Sequence, residues 1–376
     1  MAEGVRRVVA EKDESTRLPK DLAELSQQGY QFLRENLLSE AEARFTEILE
    51  KDPENNYALV GLGDAARKRR QFEKAIGYYE RCLEIHPDNN YALFGLADCY
   101  RSLKHFNKAL RIWERYLQHD DENVTVLTRV ADAHRKVRNF DRSKELYERV
   151  LEKEPDNAYA LIGLGHLHYD FRDFEGALHY WERMYQISGP KVDIRVLTSL
   201  GNCHRKQKTF EEGMRYFEEA LKKEPNNFYA LFGMADCCRG LGKPQESLAY
   251  WNRILEKDPD NKVILTRAGD AYRSLGETET ARSYYERALD IEFDSYAVLG
   301  LAVINRLTGR LDDAIVSLEG LVKNDSKNPR FYYELAEAYL EKGGRQQALD
   351  TLERAVAEGA ANRQVSDLLD RLKGAR

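Results

Sequence analysis

Apolar residues along this chain fall at i, i+3, i+4 and i+7, pause, and resume at the same helical spacing, and the whole figure returns about every 34 residues. The phrase NNYALVGLGD at Asn55 recurs as NNYALFGLAD at Asn89 and as NFYALFGMAD at Asn227. Set out from Leu22, the chain divides into ten units: 22–55, 56–89, 90–123, 124–157, 158–193, 194–227, 228–261, 262–294, 295–328 and 329–362. Eight have 34 residues, the fifth has 36 and the eighth has 33. Within each unit apolar or small residues occupy positions 4, 7, 8 and 11 and then 20, 24 and 27, which predicts two antiparallel helices joined by a short turn. In the second unit these are Leu59, Leu62, Gly63 and Ala66, then Ala75, Tyr79 and Cys82.

The small residues at positions 8 and 20, such as Gly63 with Ala75 or Ala97 with Ala109, let the paired helices approach, and the large residue at position 24 fills the space beside them. Pro53, Pro87, Pro155, Pro225 and Pro259 stand at position 32 and stop the second helix, because proline lacks an N–H and clashes with the preceding turn. Asn55, Asn89, Asn123, Asn157, Asn227 and Asn261 follow where the next helix needs an N-cap. A single pair cannot bury its own apolar face, so stacking on neighbours supplies the core. Beyond the tenth unit, Val365, Leu368, Leu369 and Leu372 form an apolar stripe on a capping helix within 363–376.

This layout resembles the tetratricopeptide repeat family from Leu22 to about Asn362. The resemblance implies an all-α, right-handed superhelical solenoid of about ten antiparallel helix pairs, closed by the C-terminal capping helix. The turn glycine that the family favours at position 15 is present as Gly242, Gly276, Gly309 and Gly343, but Asn36, Arg70, Lys104, Arg138, Arg172 and Lys208 replace it in the earlier units. That departure leaves the conformation of those turns open. The fifth unit's longer exit, QISGPKVDI, reads either as a seam in the array or as an ordinary turn insertion, with the insertion preferred.

Positions 2, 5, 9 and 12 lie on the first helix of each pair, on the side that lines the concave groove in the family. Position 2 carries Tyr57, Tyr91, Tyr159, Tyr229 and Tyr296. Position 9 carries Asp64, Asp98, Asp132, Asn202, Asp236 and Asp270, and position 12 carries Arg67, Arg101, Arg135, Arg205, Arg239 and Arg273, with Arg306 in the ninth unit. Phe94 and Phe232 stand at position 5. Two readings of the Asp and Arg rows stand side by side. They are a bracing ladder of i, i+3 pairs, or they are a ligand-binding lining in which aspartates orient guanidinium forks toward a bound chain. An exposed brace contributes only about 0–1 kcal/mol, which favours the lining.

Gly61, Gly95, Gly163, Gly233 and Gly300 at position 6 also admit two readings, an open floor under a ligand backbone or close packing of a neighbouring helix. Trp113, Trp181 and Trp251 all occupy position 24 and belong to the core. The fifth unit breaks the rows with His166 and Tyr169.

Charge and chemistry narrow the function. A formal net charge of −6 with 32% charged residues describes an acidic protein and disfavours nucleic acid as the main ligand, although the groove rows, joined by Lys68, Lys136 and Lys206, are locally positive. The five cysteines include no CxxC pair, and Cys237 and Cys238 are adjacent; a reducing, cytoplasmic location fits them. Residues 1–21 lack a signal-like apolar run and read as a disordered tail, and no later stretch predicts membrane insertion. No nucleophile elbow, phosphate loop or metal-spaced ligand set appears, so neither an enzyme nor a cofactor is expected. The expectation is a protein-binding scaffold that holds an extended, acidic or C-terminal peptide in its groove. The alternative is a structural protein that self-associates through its ends or convex face.

Overall fold

The computed structural model describes residues 20–374. The tail expected over 1–21 lies outside them, except that Lys20 and Asp21 already belong to the first helix. The described residues form α-helices, short turns and one 3-10 turn, with no strand among them. They divide into two units, one ending at Ile187 and the other beginning at Ser188.

The first unit runs through α1 (Lys20–Arg34), α2 (Leu38–Lys51), α3 (Asn56–Lys68), α4 (Phe72–Ile85), α5 (Asn90–Ser102), α6 (Phe106–Leu117), α7 (Val124–Lys136), α8 (Phe140–Lys153), α9 (Ala158–Asp170) and α10 (Phe174–Ser188). The second runs through α11 (Ile194–Gln207), α12 (Phe210–Lys223), α13 (Phe228–Gly240), α14 (Pro244–Leu255), α15 (Lys262–Ser274), α16 (Thr278–Ile291), α17 (Ser295–Leu307), α18 (Leu311–Asn324), α19 (Pro329–Glu341), α20 (Arg345–Ala357) and α21 (Arg363–Gly374). In each unit an odd-numbered helix packs on the even one after it, and that one on the next odd helix, so each unit is a stack of hairpins.

Local chemistry sets the ends of these helices. The Asn55, Asn89, Asn123, Asn157, Asn227 and Asn261 side chains each accept a hydrogen bond from the backbone N–H three residues on. The ten turns at position 15 share one left-handed conformation whatever the residue, with φ of 61–64° at Asn36, Arg70, Lys104, Arg138, Arg172 and Lys208, and of 71–88° at Gly242, Gly276, Gly309 and Gly343. The absence of glycine therefore leaves the turn unchanged, and the six non-glycine residues carry the strain that a Cβ brings to this region.

The position-24 side chains act as knobs between neighbouring repeats. Phe45, Tyr79, Tyr147, Phe217 and Tyr285 are fully or almost fully buried, and their rings fill the space beside Gly61, Gly95, Gly163, Gly233 and Gly300 of the following repeat. A Cβ on any of these glycines would stand 2.2–2.4 Å from the ring. Of the two readings of the position-6 glycines, close packing is therefore the one observed: an aromatic ring occupies the floor that a ligand backbone would need. All three tryptophans are buried at the same level.

A second series of contacts links neighbouring repeats on another face. Arg81, Arg115, Arg183, Arg253 and Arg287 donate to the backbone carbonyls of Pro53, Pro87, Pro155, Pro225 and Pro259, and Arg149 donates to that of Asp121. Each helix-stopping proline thus offers its carbonyl to an arginine of the next repeat. The longer exit of the fifth repeat forms the end of α10 and a 3-10 turn at Gly189–Lys191. It falls where the chain divides into its two units.

Candidate functional site

Within each unit the first helices of the hairpins carry a row of exposed tyrosines. Tyr57, Tyr91 and Tyr159 in the first unit and Tyr229 and Tyr296 in the second are all exposed, Tyr159 by 71%. They occupy the second residue of their helices, where the backbone has just left its N-cap and the ring projects past the hairpin edge. Phe94 and Phe232, one turn further along, are half-buried. Behind them run the aspartates and arginines.

The acidic and basic rows are joined both within and between repeats. Arg67 donates to Asp64 on its own helix at 2.9 Å and to Asp98 on the next first helix at 3.3 Å. Arg135 pairs with Asp132 and with Asp170, Arg273 with Asp270, and Arg306 with Glu334 and Glu341. Arg205 donates to Asn202 at 3.2 Å and to Asp236 at 2.5 Å. Where position 24 is a tyrosine, its hydroxyl joins the network: Tyr79 donates to Asp64, and Tyr285 to Asp270, each at 2.8 Å. Burial, reinforced by these carboxylates, pushes the Tyr79 and Tyr285 hydroxyls above their ordinary range, so they remain protonated donors.

Asp98 and Asp236 differ from the other aspartates in being buried, with side chains only 8% exposed. Each gathers three guanidinium groups. Asp98 accepts from Arg67, Arg101 and Arg129, and Asp236 from Arg205, Arg239 and Arg267. Burial alone would raise the Asp236 carboxyl; the Arg239 hydrogen bond and the charges of Arg239, Arg205 and Arg267 outweigh it and hold the group below the usual carboxylate range. Burial and the neighbouring arginines lower the Arg129 and Arg267 guanidinium groups, against the opposing pull of Asp98 and Asp236.

Arg129 and Arg267 are absent from the residues that sequence reasoning assigned to this face. Their signal lies in the alternation at position 6: glycine follows a repeat whose knob is Phe or Tyr, whereas Arg129 and Arg267 follow Trp113 and Trp251. The larger indole leaves the next first helix further away, and arginine spans the gap. Accordingly α3 packs directly on α5, α7 on α9, α11 on α13 and α15 on α17, whereas α5 and α7, and α13 and α15, touch far less. The Arg129 and Arg267 guanidinium groups lie 5.1 and 5.3 Å from the Phe94 and Phe232 ring centroids.

The remaining chemistry-bearing residues are built into packing. Cys82, Cys99, Cys203, Cys237 and Cys238 are buried free thiols, and burial pushes Cys82 up to about 11 and Cys99, Cys203 and Cys237 up to about 12. His168 pairs with Asp173 and packs edge-on against Phe140. Among the described residues no His, Cys, Asp and Glu side chains cluster in a way that could hold a metal ion, and no helix is long and apolar enough to cross a membrane.

Two tetratricopeptide repeat family profiles match the sequence, one over residues 27–90, 129–193 and 266–329 and the other over 66–127, 204–260 and 306–372. No curated protein matches it. Among solved structures, yeast Tom70 is similar with 14% identity and a TM-score of 0.43, covering 94% of this chain and 96% of that one. PilW, a type IV pilus biogenesis factor, is similar with 18% identity and a TM-score of 0.48 over 53% of this chain and 91% of its own. MamA is similar with 21% identity and a TM-score of 0.38 over 44% and 91%.

Proposed function

The chain belongs to the tetratricopeptide repeat family, and from that premise we propose that it is a non-enzymatic scaffold whose first-helix faces hold extended peptide segments of a protein partner. The observation that carries this reading is the row of exposed tyrosines, Tyr57, Tyr91 and Tyr159 in one unit and Tyr229 and Tyr296 in the other. Rigid, amphipathic rings repeated at one register suit a peptide main chain, because each presents an apolar face and a hydroxyl at little entropic cost. The arginine and aspartate rows brace the repeats and line the same strip, so bracing and recognition coexist in one set of side chains. Arginines outnumber aspartates there, which favours acidic segments or a C-terminal carboxylate.

The test is selection of peptides from a displayed random library on the purified protein, followed by affinity measurement with Tyr→Ala variants. Tyr57→Ala with Tyr91→Ala, or Tyr229→Ala with Tyr296→Ala, is expected to weaken the selected peptides at least tenfold while leaving the helical circular dichroism unchanged. A library that yields no binder, or binders indifferent to all four rings, defeats the reading.

A further inference from the structure

The two units carry the same ladder of four arginines but not the same number of carboxylates. Arg67, Arg101, Arg129 and Arg135 of the first unit correspond to Arg205, Arg239, Arg267 and Arg273 of the second. In the first unit Asp64, Asp98, Asp132 and Asp170 pair with these guanidinium groups. In the second, Asp236 and Asp270 stand at two of the equivalent places, but Asn202 and Leu307 stand at the other two. Asn202 offers Arg205 a neutral carbonyl oxygen, and Leu307 is 64% exposed. The first ladder is thus balanced, and the second has two more positive charges than negative ones.

One missing carboxylate, at Asn202, belongs to the cluster of Arg205, Arg239 and Arg267, and the other, at Leu307, belongs to the Arg273 end of the ladder, where Arg273 keeps Asp270. Asp236 alone receives Arg205, Arg239 and Arg267, and the Arg239 side chain remains 52% exposed although it contacts Asp236. Aromatic rings lie beside it, with Phe232 under Arg267 and 6.0 Å from Phe228, and with Phe228 edge-on to the exposed Tyr229 at 5.7 Å. The looser contact of α13 with α15 leaves this cluster between two first helices.

We infer that the cluster of Arg205, Arg239 and Arg267 around Asp236 is the anchor for an acidic side chain of the bound partner, whereas the matching cluster around Asp98 is a structural brace. The inference rests on the peptide-binding reading above and gives it a polarity. Guanidinium forks held by a buried carboxylate are pre-oriented, so an incoming carboxylate meets paired donors without first ordering them. The uncompensated charge also attracts an acidic segment at a distance, an effect that salt screens. In the first unit the corresponding place is taken by the protein's own Asp64, which pairs with Arg67.

The experiment uses the full chain and a fluorescein-labelled decapeptide in which four glutamates alternate with tyrosine and serine, with the glutamine counterpart as control, read by fluorescence anisotropy. The glutamate peptide is expected to bind at least tenfold tighter than its control at 50 mM salt, with most of that advantage gone at 500 mM. Asn202→Asp, which restores the missing carboxylate without changing side-chain size, is expected to weaken the glutamate peptide about fivefold, and Arg239→Ala about tenfold. Glutamate binding unchanged by both Asn202→Asp and Arg239→Ala, or no preference for glutamate over glutamine, overturns the inference. Library-selected peptides that still require the tyrosines would then leave the broader reading intact.

Discussion

The Tyr79 ring occupies the volume that a side chain on Gly95 would need, 2.3 Å from where its Cβ would stand. The ring belongs to one repeat and the glycine to the next, so a single contact joins two hairpins. Its hydroxyl also donates to Asp64 and accepts from Arg67, which ties the core between repeats to the polar ladder on the exposed face.

Gly95→Ala therefore destabilises the first unit although alanine favours a helix by about 1 kcal/mol. Overpacking against a ring that cannot move is expected to cost about 1–3 kcal/mol net. Pairing Gly61→Ala with Phe45→Leu, at the equivalent contact, recovers part of the loss that Gly61→Ala alone causes. Denaturant titration of the single and double variants measures this coupling, and strict additivity would refute the shared contact.

The left-handed turn at Lys104, with φ of 62°, predicts the opposite sign for a glycine substitution. Lys104 is exposed, so Lys104→Gly removes backbone strain without removing packing. The variant is expected to be about 1 kcal/mol more stable, seen as a higher thermal midpoint. Gly276→Lys, with φ of 80° at the same turn position, should lower the midpoint by a similar amount.

Asp236 gives the fold an acid dependence of known direction. Its carboxyl is depressed in the folded chain, so its stabilisation is fully present above the unfolded value of about 3.9 and is lost as the pH falls through the lower folded value. Asp236→Asn leaves three guanidinium groups without their shared carboxylate and is expected to cost about 3 kcal/mol at pH 7. The difference between variant and wild type should begin to shrink below about pH 4, where the unfolded chain's carboxyl takes up its proton while the folded one still resists it. Thermal midpoints measured between pH 7 and pH 3 check the convergence.

The buried thiols should resist modification. Burial raises Cys82, Cys99, Cys203 and Cys237 well above the ordinary thiol value, so few thiolates exist near neutrality and those are shielded. Mass spectrometry after brief iodoacetamide treatment at pH 7.5 is expected to find these cysteines unmodified in the native protein and alkylated in urea.

Much of the fold is legible in single repeats. The helical period, the asparagine caps and the proline stops act over four residues or fewer, so residue type and spacing specify them before any tertiary contact forms. The tyrosine row is legible for the same reason: position 2 of a capped helix lies opposite its packing stripe, and the rings are exposed there. The arginine contacts to proline carbonyls follow an equally regular pattern but pass unnoticed in sequence, because backbone acceptors leave no mark in residue type.

By itself, the sequence determined the repeating helices and their caps, since these follow from short-range geometry repeated along the chain. Only the tertiary structure decided that the position-6 glycines make room for rings, that Arg129 and Arg267 join Asp98 and Asp236, and that the chain divides after Ile187. The first two outcomes depend on the distance between neighbouring hairpins, which the volume of a phenyl or indole knob sets. Partners about 31 residues apart are chosen by that distance, and no local pattern contains it.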